Sequence, residues 1–381
     1  MTRGALGDRE AAERLGLTQQ KSSPDVRPST QDDRGEDENS QGAGSSVLAG
    51  VGRRLLTRET TLFLFAVVLC AVSTVSIRGF SSTFNIAQVM AGSSEIALMV
   101  LPLTLLIIAR EIDISIASIA GLASASLGLL VQGGMGLFPA IVLVLLIGAV
   151  AGAFNGFLVA YVGLPSLIVT LGTLNLYRGI CWILLGPNSI SVLPQALVNF
   201  GYLNIGHSFP FDLVPDLIVP FLVLLPIFWF VLRRTTIGRR IYAIGGNADT
   251  ALYSGIRVQQ TKFWLFVVSG CVCAVAGVVY TAHYASASGD NAYGFELNAV
   301  TVVFLGGLSV FGGKGSMSGV FWALVLIAIV EDILGLKNVN GDLQAAIVGL
   351  MLIVAVLANN LTAALTARRE SRRRELLSRP P

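Results

Sequence analysis

The sequence predicts an all-α integral membrane protein with about ten transmembrane helices. The chain of 381 residues is 54% hydrophobic and only 13% charged, whereas a soluble domain carries about 25% charged residues. Its mean hydropathy of +0.72 points the same way. The apolar residues also form runs that approach the length of about 20 residues that a helix needs to cross the hydrocarbon core.

Residues 1–52 precede the first apolar run and mix charges of both signs with Ser, Gln, Gly and Asp. Such a composition cannot bury enough apolar surface to offset the entropy lost on ordering. We therefore expect a disordered N-terminal tail. A secretory signal would need a basic start followed by an apolar region, and neither precedes Arg53. The tail is expected in the cytoplasm.

Residues 53–360 contain ten apolar runs, which together form the predicted membrane domain. Some are shorter than 20 residues, which is tolerated where a helix is broken or is buried within protein. The predicted spans lie near 61–77, 94–109, 115–131, 138–160, 165–184, 217–232, 263–282, 297–311, 317–335 and 343–359.

The Lys and Arg residues of the connections predict the orientation, because short cytoplasmic loops are enriched in them. With the N-terminus inside, the external segments hold only Arg78 and Lys337. Both termini are therefore expected in the cytoplasm, with 361–381 as a basic C-terminal tail. The internal segments hold Arg53, Arg54, Arg58, Arg110, Arg233, Arg234, Arg239, Arg240, Arg257, Lys262, Lys314 and the cluster 368–374.

The number of predicted spans allows an internal repeat of inverted orientation. Spans two to five and seven to ten are two sets of four that are offset by an odd number of crossings, so the two sets run in opposite directions. An inverted repeat is compatible with this arrangement and is common in transporters. The sequence similarity between the two sets is weak.

The segment 233–262, between spans six and seven, is polar in an otherwise apolar chain. Asn247 is a favourable N-cap, Asp249 complements the helix dipole, and Gly255 suits the position that ends a helix. A helix of two turns is marginal in water, so it must dock either on its own bundle or on a partner. Its small-residue face comprises Ala248, Ala251 and Leu252.

Residues that would carry catalysis or bind a metal are sparse. All four cysteines lie in apolar runs, where they act as packing residues. Cys271 and Cys273 are close together, but no second cluster completes a metal site. His207, in the external loop 186–216 that is expected to cap the outer mouth, and His283 have no paired carboxylates beside them. The sequence predicts neither an enzyme nor a metal protein.

The stretch FGGKGSM, at 311–317, resembles a phosphate-binding loop only superficially. Leu308 stands where such a loop has its first glycine, and Lys314 is not followed by Ser or Thr. This stretch is therefore not expected to bind ATP. The glycines of this region are instead expected to break span eight and line a passage, since irregular backbone survives at membrane depth only where protein or water satisfies it.

Polar side chains within spans are candidates for a translocation pathway, because burying a charge at a helix centre costs about 2.5–3.5 kcal/mol on insertion scales. Donors of this kind could hold the polar groups of a transported ligand weakly enough to release them. The stretch TLGTLN, at 170–175, also suggests an unwound or tightly packed helix. The pathway candidates are Asp113, Asn155, Thr170, Thr173, Asn175, Arg178 and Asn298.

Structural alternatives remain open for these candidates. Arg178 could snorkel to the outer surface or pair with a carbonyl. Asp113, with Ser115, could cap span three, and Asn155 could make a packing hydrogen bond. Glu331 and its neighbour Asp332 are expected to be exposed to water near the outer end of span nine.

Four ordered blocks resemble the permease subunits of bacterial ABC sugar importers, the group that includes ribose, xylose, rhamnose and autoinducer-2 permeases. The likeness covers about residues 60–360. In many members Gly-Gly stands at Arg110-Glu111, Ala at Thr250, and a basic residue at Leu252. The blocks are IDISIASIAGL at 112–122, LPSLIVTLGTLNLYRG at 164–179, TTIGRRIYAIGGNADTALYSGIRV at 235–258 and FELNAVTVVFLGGLSVFGGKGSMSG at 295–319.

The resemblance implies a location in the bacterial plasma (inner) membrane and an importer with several subunits. ATP and Mg would be bound by a cytoplasmic ATPase subunit, and this chain would hold no cofactor. An extracellular solute-binding protein, a second permease subunit and membrane lipid are the other implied partners, and nucleic acid is not. The segment 233–262 would dock on the ATPase through Gly238, Arg239, Gly245, Asn247, Ala251 and Gly255.

The implied cargo is a monosaccharide. Rhamnose comes first because the blocks at 112–122 and 164–179 look most like those of rhamnose permeases, followed by autoinducer-2 and ribose or xylose. The alternative is an ion-coupled secondary sugar transporter. That alternative requires buried carboxylates in the middle of the membrane, whereas Asp113 and Glu331 lie near the ends of predicted spans.

Overall fold

The computed structural model describes residues 58–202 and 214–377, and every regular element in these ranges is a helix. The predicted disordered tail lies outside the described residues, as do His207 and Asp212 of the external loop. The helices are α1 (Arg58–Ser76), α2 (Thr83–Gly92), α3 (Ser94–Ile108), α4 (Ile116–Gln132), α5 (Leu137–Ala160), α6 (Ser166–Leu185), α7 (Gln195–Tyr202), α8 (Val219–Arg234), α9 (Thr236–Gly246), α10 (Ala248–Tyr253), α11 (Val258–Tyr284), α12 (Phe295–Leu305), α13 (Met317–Leu336) and α14 (Gly341–Leu377).

The predicted fold class is confirmed: the chain is an all-α membrane protein. Within the described ranges, seven helices are long and apolar enough to cross a membrane, and α2 and α3 add an eighth if they are one span bent by 43°. The seven are α1, α5, α6, α8 with the 3₁₀ turn before it, α11, α13 and α14.

The remaining two predicted spans correspond to short helices, α4 of 17 residues and α12 of 11 residues. At 1.5 Å per residue, α12 is about 16 Å long, which is about half of the hydrocarbon core. Predicted span eight therefore does not cross the membrane as one helix. It ends at Leu305, directly before the glycines of 306–315 that were expected to break it, and so stops short of the predicted residue 311. All ten predicted apolar runs correspond to helices, of which seven are each long enough to cross a membrane and another belongs to the bent pair of α2 and α3.

Helix α3 forms the centre of the protein, since every one of its residues is buried. A helix that is apolar on all sides needs such surroundings. It packs against α8, α11 and α12, while the long helix α11 packs along α5, α4 and α3. The ends of α3 consequently lie where several helices converge.

The pair α5 and α11 approaches closely because small residues face each other. Gly148 and Gly152 of α5 pack against Gly270 of α11, and a Cβ added to Gly152 would overlap the carbonyl oxygen of Phe266. Small residues at such intervals allow transmembrane helices to pack backbone against backbone. This contact holds the two longest described transmembrane segments together.

We expect Gly152→Ala to lower the free energy of unfolding by about 1–3 kcal/mol, because the added methyl group overpacks this interface. The matched control is Gly172→Ala on α6, where an added Cβ meets no atom within 4 Å and alanine favours the helix. Thermal unfolding in detergent measures both. Equal midpoints for the two variants would contradict the close packing of α5 on α11.

The two short helices occupy equivalent places in the two predicted sets of four spans. Each is the second helix of its set and packs against the last: α4 against α6, and α12 against α14. Each also follows an irregular stretch, 109–115 before α4 and 285–294 before α12. Short or broken segments at corresponding positions of two halves mark the substrate pathway in many transporters. The inverted repeat itself remains a prediction.

Candidate functional site

The polar segment 233–262 folds as the short helices α9 and α10. The side-chain oxygen of Asn247 accepts a hydrogen bond from the Thr250 backbone N–H at 2.9 Å, which confirms the predicted N-cap. Gly255 has a φ of +79° just after the helix, so the predicted end is also confirmed.

Two further residues of the predicted docking set lie at the start of α9. Gly238 is buried, and a Cβ added there would overlap the carbonyl oxygen of Leu232 at the end of α8. Arg239, the next residue, is exposed. The first turn of α9 therefore packs tightly on α8 and presents a cation to solvent.

Helix α10 has one buried side and one free side. Ala251 is only 3% exposed, whereas Leu252 is 58% and Tyr253 is 90% exposed. The side of Ala251 thus packs on the chain itself, which was the first of the two docking alternatives. The side of Leu252 and Tyr253 remains free for the second alternative, a partner protein.

The C-terminal end of α9 contacts the end of α3. Gly245 lies so close that an added Cβ would overlap the carbonyl oxygen of Ile108, the last residue of α3. The same oxygen accepts a hydrogen bond from the backbone N–H of Gly313 at 2.9 Å. Three separate segments therefore meet at one carbonyl group, and we call Gly245, Ile108 and Gly313 the junction.

A tyrosine joins α9 to the glycine-rich stretch 306–315 a second time. The Tyr242 hydroxyl donates to the Gly315 carbonyl oxygen at 2.8 Å. Burial, followed by the negative charge of Glu59, raises the pKa of this hydroxyl, so Tyr242 keeps its proton and remains a donor. Helix α9 is thus held to this stretch at two points.

The irregular stretch 109–115 begins directly after the junction. Arg110 has a φ of +68°, and the following Glu111 forms an ion pair with Lys262 of α11. The backbone of Ile112 is satisfied by α6: its N–H donates to the Ser166 hydroxyl at 3.1 Å, and its carbonyl accepts from the Thr170 hydroxyl at 3.2 Å. Side chains of α6 therefore replace the helical hydrogen bonds that this stretch lacks.

A buried polar network starts at Asp113, which is fully buried. One carboxylate oxygen, Oδ1, accepts from the Ser115 backbone N–H at 3.0 Å and from the Ser115 hydroxyl at 2.6 Å. The other, Oδ2, accepts from the Ser269 hydroxyl of α11 at 3.2 Å. Asp113 thus bonds to Ser115, the N-cap residue of α4, and also across to α11. Neither side chain accepts a hydrogen bond from the first turn of α4, so the predicted cap is not seen.

The network continues through Asn155 of α5, which is also fully buried. Its Nδ2 donates to the Ser115 hydroxyl at 2.8 Å, and its Oδ1 accepts from the Tyr177 hydroxyl of α6 at 3.2 Å. The network therefore ties α4, α5, α6 and α11 together around the stretch that precedes α4.

The second irregular stretch, 285–294, is held by Arg178. Its Nη1 donates to the carbonyl oxygens of Gly289 at 3.0 Å and Asn291 at 2.8 Å, and its guanidinium carbon lies 5.6 Å from the centre of the Tyr293 ring. Arg178 thus pairs with carbonyl groups, which was one of its two structural alternatives. Helix α6 contacts both irregular stretches, at Thr170 and at Arg178.

The other pathway candidates lie apart from this network or bond locally. Thr173 is buried and donates to the Thr170 carbonyl oxygen at 3.4 Å, and Asn175 is exposed and bonds to the Leu171 carbonyl at 3.0 Å. Both belong to the continuous helix α6, so the predicted unwinding of TLGTLN is not seen. Asn298 of α12 donates to Glu331 of α13 at 3.2 Å.

The expected exposure of the two acids near the end of α13 is wrong. Glu331 and Asp332 are both half-buried. Glu331 is bonded to Asn298, and Asp332 accepts from the Asn85 side chain at 2.8 Å. Each carboxylate is thus partly exposed and accepts a hydrogen bond from an amide group of α12 or α2.

Sequence reasoning missed several polar residues that the structure places in contacts between helices. Ser269 and Tyr177 complete the network of Asp113. Glu95, at the start of α3, is fully buried, and its Oε1 lies 2.7 Å from Nδ1 of His283. An acid at the beginning of an apolar run was a usable signal for Glu95. A hydroxyl within an apolar run is too common to have indicated Ser269.

Comparison with known protein families identifies the family of this chain. A family model described as "Branched-chain amino acid transport system / permease component" matches residues 85–356, which include both irregular stretches, α9 and α10. The chain belongs to this permease family. Its match extends from α2 to α14 and leaves the N-terminal residues and all of α1 outside.

Individual members of the family are similar to this chain in sequence. The permease is 35% identical over 273 residues to the autoinducer 2 import system permease protein LsrD of Photorhabdus luminescens, which covers 70% of this chain and 80% of the relative. It is 34% identical over the same length, with the same coverage, to LsrD of Salmonella paratyphi B and of Salmonella typhi. No solved structure matches.

Family membership settles the general role of the permease. It is a permease component of an ABC sugar importer and a multi-pass protein of the inner membrane. Permeases of this family are transporter subunits and not enzymes, and they work with ATPase and binding-protein partners. Within the described residues, no group of three or more His, Cys, Asp or Glu side chains could hold a metal ion.

Proposed function

We propose that α9 and α10 receive the force of an ATPase subunit and pass it to the ligand path through the junction. The supporting observation is the close contact of Gly245 with Ile108 and Gly313. A shift of α9 must move the end of α3, the glycine-rich stretch or both, because no gap separates them. Packed elements respond to such a shift by switching between discrete arrangements.

The proposed ligand path runs beside the two irregular stretches. The residue after the junction, Ala109, begins the stretch that carries Asp113, and α6 holds this stretch and the stretch 285–294 through Thr170 and Arg178. Irregular backbone at membrane depth occurs where protein or a water-filled cavity satisfies it. A movement of α9 at Ile108 would reach Asp113 along five residues of the chain.

We propose a small polyhydroxylated ligand, with autoinducer-2 ahead of rhamnose, ribose and xylose. The basis is the identity of 35% to a permease whose name assigns it to autoinducer-2 import. The order predicted from the sequence blocks, with rhamnose first, receives no support from the relatives. In this proposal an extracellular solute-binding protein delivers the ligand, and a second permease subunit completes the path. ATP and Mg are held by the ATPase subunit.

Reconstitution tests the proposal directly. The permease is incorporated into vesicles with and without candidate ATPase subunits, with a solute-binding protein outside, and uptake of labelled autoinducer-2 and of each sugar is measured. We expect uptake only with the ATPase and ATP. Uptake by the permease alone, driven by a proton or sodium gradient, would instead establish the secondary transporter.

The exposed side of α10 offers a sharper test. We expect Tyr253→Asp to weaken binding of the ATPase at least tenfold and to reduce ATP-driven uptake, because an aromatic side chain that is 90% exposed is suited to anchor an interface. Tyr202→Asp on α7 is the control, since Tyr202 is 69% exposed at the end expected to be external. Co-purification and uptake are measured for both variants.

If the two tyrosine variants bind the ATPase equally well, α10 does not dock the ATPase through its free side. Ala251 would be an unsuitable site for this test. Its side chain is 3% exposed, so an acid there would be buried within the permease itself and would disturb the fold as well as any interface.

A further inference from the structure

A groove lies between α8 and α11 at the end of the membrane domain that carries α9 and α10. Its volume is about 640 Å³, and Leu105 of α3 contributes to its lining. The walls come from Phe228 of α8 and Leu265 of α11, both less than 10% exposed. The groove is open to the outside of the helical bundle, since Trp264 at its side is 61% exposed.

One end of the groove is basic. Arg240 of α9 and Arg257, just before α11, line this end, and both are exposed. Within the described part of the chain, neither arginine forms an ion pair with a carboxylate. Gln260 and Thr261 lie beside them: the Gln260 side-chain oxygen accepts from Arg257 at 3.5 Å, and the Thr261 hydroxyl donates to the Arg257 carbonyl oxygen at 2.9 Å. This end can therefore hold an anion in a setting that offers both charge and hydrogen bonds.

The other end of the groove is apolar, and the groove as a whole is about as long as half of the hydrocarbon core is thick. From Arg257 to Val268 the wall follows α11 for eleven residues, or about 16 Å, and half of the hydrocarbon core is about 15 Å. Ile227 and Val268 line the apolar end and are half exposed or nearly so. Trp264 lies between the two ends. Tryptophan is enriched at the membrane–water interface, so this position is consistent with a headgroup at the basic end and an acyl chain at the apolar end.

We propose that the groove binds one anionic phospholipid of the cytoplasmic leaflet. Its phosphate lies between Arg240 and Arg257, and an acyl chain lies against Phe228, Leu265 and Val268. Basic pockets between transmembrane helices on the cytoplasmic side recognise such headgroups. A free phosphate would contact only the basic end, whereas a phospholipid would contact the basic end with its headgroup and the apolar end with an acyl chain. This inference does not depend on the proposed ligand or on the role of α10.

The test uses the full chain in nanodiscs of phosphatidylcholine that contain a small fraction of phosphatidylglycerol. Retained lipid is measured by native mass spectrometry. We expect the double variant Arg240→Gln, Arg257→Gln to bind phosphatidylglycerol about thirtyfold more weakly, from the contribution of a basic residue near a membrane surface. The control is Arg233→Gln, Arg234→Gln, which removes the same charge at the end of α8 but outside the groove.

A second variant tests the apolar end without changing the charge. We expect Val268→Trp to fill that end and reduce retention of phosphatidylglycerol by a similar factor, while Val223→Trp, at an exposed position of α8 outside the groove, leaves it unchanged. Soluble glycerophosphate at the same concentration should not compete with the lipid. The proposal is overturned if glycerophosphate competes equally well or if all variants retain the lipid alike.

The groove could also be a subunit interface, and the assembled importer distinguishes this case. A photoreactive group placed at position 260, at the basic end, should label lipid. Labelling of an ATPase subunit or of a second permease chain from this position would overturn the proposal, because the groove would then be covered by protein.

Discussion

Gly245→Ala is expected to abolish coupling between ATP hydrolysis and transport. The added methyl group would occupy the space of the Ile108 carbonyl oxygen and crowd the backbone nitrogen of Gly313. Neither neighbour is a flexible side chain, so α9 must move away from the junction. Overpacking of this kind costs about 1–3 kcal/mol, which corresponds to a change of about five- to 150-fold in the equilibrium between docked and displaced α9.

The adjacent residue is the matched control. Gly246→Ala adds the same methyl group one position later, where it meets no atom within 4 Å. We expect the Gly245 variant to lose at least nine-tenths of ATP-driven uptake at unchanged membrane yield, and the Gly246 variant to retain wild-type uptake. ATP hydrolysis by the assembled complex is measured in parallel. It should no longer depend on the transported ligand in the Gly245 variant.

This comparison also addresses the proposed route of coupling. If Gly245→Ala transports normally, the junction does not carry the movement of α9, even if α10 proves to be the docking helix. If both glycine variants lose transport equally, the cause is the helix propensity of alanine in α9 and not the contact with α3. Only the difference between the neighbouring positions supports the route through Ile108.

The features that sequence predicted well are local ones. The N-cap of Asn247 and the end at Gly255 depend on residues within one helical turn, so their residue types are sufficient to identify them. The helical class likewise follows from runs of apolar residues. Whether an apolar run forms a helix long enough to cross the membrane was harder to predict from the sequence. Both α4 and α12 are apolar, yet their ends are set by contacts with distant segments, which composition does not reveal.

Arg110 illustrates the same limit at a single residue. The resemblance led us to expect glycine at this position, and the backbone there has a φ of +68°, a conformation that glycine adopts without strain. An L-residue in this region is disfavoured by about 1–2 kcal/mol. The sequence signalled a departure from the family, but only the backbone geometry identifies its physical cost.

The candidate site was predicted in part. Asp113, Asn155, Thr170 and Arg178 do lie around the two irregular stretches, because a polar group in an apolar helix needs a partner. Their partners could not be predicted, since Ser269 is separated from Asp113 by more than a hundred positions and the Arg178 acceptors are backbone carbonyls. Asn175 fits the same sequence criterion, yet it is exposed and bonds only to its own helix.

Asp113→Leu is expected to prevent stable folding of the permease. The change removes the acceptor of the Ser115 backbone N–H, the Ser115 hydroxyl and the Ser269 hydroxyl, all at a site that is fully buried. Each buried donor left without a partner costs about 1–3 kcal/mol. The sum is comparable with the total stability of a protein domain, about 5–15 kcal/mol. Yield in the membrane fraction and thermal unfolding in detergent measure the effect.

Two control variants are needed. One removes the charge of Asp113 but keeps its hydrogen bonds, and the other introduces leucine at a different aspartate. Asp113→Asn keeps an oxygen for Ser115, and its amide can donate to the Ser269 hydroxyl, so we expect a folded protein. Asp249→Leu makes the same change at an exposed position of α10 and should leave the unfolding temperature almost unchanged. A stable Asp113→Leu protein would mean that the stretch before α4 is held without Asp113, through Ser166, Thr170 and the ion pair of Glu111 with Lys262. The network of Asp113, Asn155 and Tyr177 would then be free to rearrange when α9 moves.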